Sequence, residues 1–150
     1  MSVLFVVSFL SFIACKKSSQ HTEGPLQPAS VNTIQGKWEL RKINGGFVAD
    51  YSAGNGNTLE FTNNNYESHS LVTGTDIEKK GTFVLQSEVI PSETSCAPVR
   101  TGSVIRLVLD NTTDGPFQVP EVSGNTLKIS TNNCPATDNY SEATYVKVSD

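Results

Sequence analysis

From Ile34 onward, apolar residues recur at every second position in short runs, and each run stops at a cluster of Gly, Asn or Pro. Trp38 and Leu40 alternate with Lys37, Glu39 and Arg41, and Leu127 and Ile129 alternate with Thr126, Lys128 and Ser130. A period of two puts one set of side chains on each face of an extended strand. The pattern predicts strands over about 37–43, around Leu59–Phe61, at Tyr66, and over Thr82–Leu85. Further strands are expected over Val104–Leu109, the most apolar stretch, then Phe117–Val119, Thr126–Ser130 and about 143–148. That makes roughly eight short strands, with no helix of about ten residues or more. Evenly spaced strands and frequent turns point to an antiparallel barrel or sandwich. The all-β reading taken forward is an up-and-down barrel, since about eight strands close around their own side chains or one small ligand.

Composition narrows the alternatives. Hydrophobic residues make up 37% of the chain and charged residues 17%. Ser, Thr, Asn and Gly fill the difference, and these suit turns and strand faces better than helix interiors. A helical bundle, a coiled coil and a charged disordered chain are thereby excluded. The formal net charge of -4 offers no basic footprint, so no nucleic-acid partner is expected.

The body is read as residues 34–150, because what precedes it has a different character. Residues 1–14, MSVLFVVSFLSFIA, carry no charge, Pro or Gly. The run is shorter than the roughly 20 residues of a spanning helix and suits a signal peptide. Residues 15–33 begin with KKSSQHTEGPLQPAS after Cys15, a polar stretch without periodicity that reads as a flexible tether.

Phe12-Ile13-Ala14-Cys15 resembles a bacterial lipobox, in which a small residue precedes a cysteine that receives lipid. The resemblance implies Cys15 as the lipidated residue and the membrane as a partner through that anchor. The expected location is the bacterial cell envelope, as an outer-membrane lipoprotein. Of the three cysteines, Cys15 then leaves an even pair in an oxidising compartment. A Cys96–Cys134 disulfide is expected, contributing on the order of 3 to 4 kcal/mol if unstrained.

Ile34-Gln35-Gly36-Lys37-Trp38-Glu39-Leu40 resembles the Gly-x-Trp opening of lipocalin-like domains, on the first strand after a short lead-in. Together with the strand count and the lipobox, the chain is similar to the short lipocalin-like lipoproteins of the Bacteroidetes type. The resemblance implies that Gly36 lets the backbone pass close beneath the barrel floor and that Trp38 plugs that end. It also implies a cation from the last strand lying across the indole. Lys147 holds that place, and Arg106 on a middle strand is the alternative.

Chemistry-bearing motifs are missing. The sequence has no nucleophile elbow, HExxH, P-loop or GxGxxG, so an enzyme is not expected. No cofactor or metal is implied: there is no CxxC, and His21 and His69 have no ligand-spaced neighbours in sequence. The spacing of Asp110, Thr112, Asp114, Gly115 and Glu121 follows a calcium loop. Pro116 and Pro120 stiffen that stretch and its flanks are strands, so it is read as a plain turn. Two functions remain. The barrel binds a small apolar or amphipathic ligand, walled by Leu40, Leu59, Phe61, Phe83 and Leu85 with Ile105, Leu107, Leu127 and Ile129. Alternatively it is sealed, and its long 46–57 and 86–102 loops bind a protein or glycan at the envelope.

Overall fold

The computed structural model describes residues 25–90, 102–112, 116–132 and 140–149. The chain runs β1 (Gln27–Pro28), α1 (Val31–Ile34), β2 (Gly36–Asn44), β3 (Ala49–Asp50), β4 (Thr58–Thr62) and β5 (Asn65–Val72). It continues through β6 (Thr75–Ile90), β7 (Gly102–Leu109), β8 (Phe117–Ser123), β9 (Thr126–Asn132) and β10 (Ser141–Ser149). From β4 to β10 each strand pairs antiparallel with the next, β2 pairs with β4, and β10 returns to β2. The result is a closed antiparallel up-and-down barrel of eight strands, with β1 and β3 as additions. It is the all-β barrel expected from the alternation, and it is compatible with a lipocalin-like fold.

Closure follows from matched inward faces. Tyr145 of β10 stands opposite Leu40 of β2 and opposite Leu127 of β9, so apolar side chains meet across both seams. The core gathers Trp38, Phe61, Tyr66, Phe83, Leu107 and Leu127, all buried. Phe61 and Phe83 meet edge to face at 4.8 Å and 68°, an orientation aromatic pairs favour.

One end is shut. Ser30 and Thr33 form a capping box that starts α1, whose Ile34 is fully buried. Trp38 Nε1 donates to the Ile34 carbonyl at 2.7 Å. Gly36 has φ 109°, a conformation open to glycine, and lies opposite Phe61. We call this end the floor; the other end, where β2 gives way to residues 45–57, is the rim. Rather than closing the rim, residues 49–57 run along the free edge of β2. Tyr51 N donates to the Arg41 carbonyl at 2.8 Å and Leu40 N to the Asn57 carbonyl at 2.9 Å.

One feature departs from the sequence reading. The strand expected at 82–85 is part of the sixteen-residue β6, which takes in Glu78-Lys79-Lys80-Gly81. Its first half pairs with β5 and its second half with β7, so one long strand serves two partners. Charge does not break it, because Glu78 and Lys80 face outward in register with His69 and Glu67.

The expected Cys96–Cys134 pair lies outside the described residues, as does Cys15.

Candidate functional site: an opening at the rim

The seam between β7 and β8 is the weakest in the barrel. Among the described residues, register pairing there is confined to Leu107 with Gln118. Pro120 explains why it stops. The Ala29 amide donates to the Pro120 carbonyl at 3.2 Å, so that edge of β8 faces β1. A strand residue directs its N–H and C=O to the same side. Proline has no N–H, so β8 lacks a donor on the edge β7 would need. β1 then takes over, pairing Gln27 with Val122 and Pro28 with Glu121.

An opening of about 240 Å³ lies at the rim part of this seam. Leu107 and Leu109 supply an apolar side; Asp110, Thr112 and Gln118 supply a polar one, with Tyr66 and Pro116 completing it. The polar side is built by a turn in which Asp110 and Asn111 have φ 52° and 55°, the left-handed region Asp and Asn tolerate. The Asp110 carboxylate accepts from Tyr66 Oη at 2.9 Å and from Thr82 N at 2.9 Å. Burial, reinforced by this carboxylate, pushes the Tyr66 phenol above its ordinary pKa. Tyr66 therefore stays protonated and donating.

The structure distributes the sequence-predicted residues unevenly. Phe61, Phe83, Leu107, Leu127 and Ile129 belong to one packed core with Trp38, and Leu59 and Leu85 pack against it. Leu40 is buried and Ile105 half-buried. Most of the expected ligand wall is thus the barrel's own filling, and only Leu107 reaches the opening. Lys147 Nζ lies 5.7 Å from the centre of the Trp38 ring. The alternative, Arg106, stands instead 4.8 Å over Phe117.

Asp110 spends its carboxylate on Tyr66 and Thr82, and Glu121 stands on β8 opposite Lys128; Asp114 and Gly115 of the expected turn lie outside the described residues. The chain matches no family model, no curated protein and no solved structure.

Sequence reasoning missed a second cluster, on the outer face. Glu67 and His69 lie two apart on β5, and β6 places Glu78 opposite His69 and Lys80 opposite Glu67. Beside Glu67 on its own strand, His69 thus gains the β6 carboxylates Asp76 and Glu78 as neighbours. His69 Nε2 is 2.7 Å from Glu67 Oε1, and Nδ1 is 3.3 Å from Asp76 Oδ2. Glu67 first and Asp76 second raise the His69 pKa, while His69 and Lys80 hold the Glu67 carboxyl low. Only the i, i+2 placement of Glu67 and His69 was visible beforehand; the cross-strand register was not. Beside this cluster a trough of about 420 Å³ crosses β4, β5 and β6, with Glu60, Thr62 and Thr82 among its lining residues.

Proposed function

We propose that this chain is a lipid-anchored, lipocalin-like barrel of the bacterial cell envelope that takes a small amphipathic molecule at the rim opening. The observation that carries the reading is the incomplete β7–β8 seam. It leaves about 240 Å³ with Leu107 and Leu109 facing Asp110 and Gln118. Small-molecule sites commonly start at about 300 Å³, so the ligand is compact. Its apolar part packs on the leucines and its polar end meets the turn. The lipobox-like Ile13-Ala14-Cys15 supports an anchor. β1 pairs with the lower half of β8, below the rim opening. The reading assigns no catalytic step.

Native mass spectrometry of protein purified from membranes tests the ligand. The parent is expected to carry a small molecule that Leu109→Lys loses. A parent that carries nothing, or a variant that retains the molecule, refutes the reading. Fatty-acid labelling compared with Cys15→Ala tests the anchor, and equal label in both would refute it.

A second reading rests on a different observation. Phe47 and Val48 at the rim are 63% and 66% exposed. Adjacent exposed apolar residues on a loop favour docking of a protein or glycan at the envelope. Phe47→Ser would then abolish partner capture while leaving the rim ligand bound.

A further inference from the structure

The outer face of the β5–β6 hairpin brings together three donors of the kind that hold a transition-metal ion. Glu67 and His69 project from the same face of β5, two residues apart, and Glu78 faces His69 from β6. One ligand atom from each of the three lies within 4.8 Å of the others. We propose that Glu67, His69 and Glu78 form a surface site for a divalent ion of the zinc class, and that Lys80 guards it.

The donor set decides the class. One imidazole nitrogen with two carboxylate oxygens suits zinc and its neighbours, whereas calcium and magnesium prefer all-oxygen shells. Zinc bonds to nitrogen and oxygen are about 2.0 to 2.2 Å, which sets tetrahedral donors roughly 3.4 Å apart. The three side chains must therefore close by about an ångström from their present spread. They stand on the solvent face of the sheet, and Glu78 is exposed, so this needs only side-chain rotation.

Two arrangements around the donors fit the same purpose. Asp76 Oδ2 lies 3.3 Å from His69 Nδ1 and directs the opposite ring nitrogen, Nε2, toward Glu67. A carboxylate on the far nitrogen fixes the tautomer and orientation that a metal-bound imidazole needs. Lys80 Nζ meanwhile pairs with both Glu67 and Glu78. A cation thus already occupies the space between the two carboxylates. A doubly charged ion would take that place, and the long, exposed lysine would swing into solvent. Three protein donors leave one tetrahedral position open, next to the trough that Glu67 and Lys80 also line. A water or an incoming carboxylate or phosphate would complete the shell there.

Calorimetric titration of the full chain with zinc chloride, its thiols alkylated to remove competing ligands, tests the proposal. One zinc per chain is expected. His69→Ala should weaken it by on the order of 100-fold and Asp76→Ala by about tenfold. Lys80→Ala should tighten it, because the competing ammonium is gone. Glu78→Gln gives a second reading of the donor set if His69→Ala folds poorly, and it should lower affinity without changing the Trp38 near-ultraviolet signal. Absence of binding, affinity unchanged in His69→Ala and Glu78→Gln, or no tightening in Lys80→Ala overturns the proposal. A magnesium titration should give no heat at the same concentrations; comparable magnesium binding overturns the assignment of class.

Discussion

Trp38 Nε1 and the Ile34 carbonyl are joined by a 2.7 Å hydrogen bond between two fully buried residues. The bond ties the largest side chain of the core to the short helix that shuts the floor. Trp38→Phe would leave that carbonyl unpaired and a void beside Ile34. A loss of about 2 to 4 kcal/mol is expected from urea unfolding, combining an unsatisfied acceptor with a partly collapsed cavity. A loss well below that range would mean that the floor is held by other contacts.

Glu39 fastens residues 49–57 to the edge of β2. It faces away from the core yet is only 6% exposed. Arg41 Nη1 lies 2.6 Å from one of its oxygens, and the Asn55 amide donates to the other at 2.8 Å. Burial alone would raise its pKa. Arg41 and the Asn55 and Gly54 amides outweigh burial and lower it below 4.5. A carboxylate lowered in the folded state stabilises above its unfolded pKa, and that contribution is lost as pH falls through the folded value. Glu39→Gln should cost about 1 to 3 kcal/mol at neutral pH and much less in acid. Equal losses at both pH values would contradict this account.

Gly81 makes room for a side-chain contact between strands. A Cβ at this position would overlap the Asp110 carboxylate and stand 2.8 Å from Tyr66 Cε1. Gly81→Ala must therefore displace the Asp110 turn, at a cost of about 1 to 3 kcal/mol. It should also shift the Tyr66 ring resonances by NMR. Unchanged resonances would show that the turn absorbs the methyl group.

His69 gives the hairpin a pH dependence of the opposite sign. Its folded pKa is raised above 6.5, first by the hydrogen bond to Glu67 and then by that to Asp76. The stabilisation is present below the unfolded pKa and is lost as pH rises through the raised value. His69→Ala should therefore destabilise more at about pH 5.5 than at about pH 9. A uniform effect would place the contribution in packing rather than charge.

Alternation made the wall legible. Trp38 with Leu40, and Leu127 with Ile129, declare their buried face in sequence because each pair brackets a polar residue. Closure was legible only as a strand count. What joins the ends is the register of Tyr145 against Leu40, and no local pattern encodes register between strands a hundred residues apart. The same gap hid the outer cluster, since Glu78 meets His69 through pairing across the β5–β6 hairpin. The expected ligand wall failed for another reason: alternation marks which side chains point inward, not whether they leave space. The rim opening depends instead on Pro120, whose sequence signal was a turn-rich stretch and whose effect is a missing donor within a strand.

Among the described residues β7 and β8 share one register pair, so parting that junction breaks fewer backbone hydrogen bonds than parting its neighbours. Parting β7 from β8 would widen the rim. β1 is bonded to β8 on that same edge, so a pull on the chain ahead of Gln27 is delivered to the loosest join in the wall. Mechanical load from the N-terminal side and the bore of the opening are thereby linked.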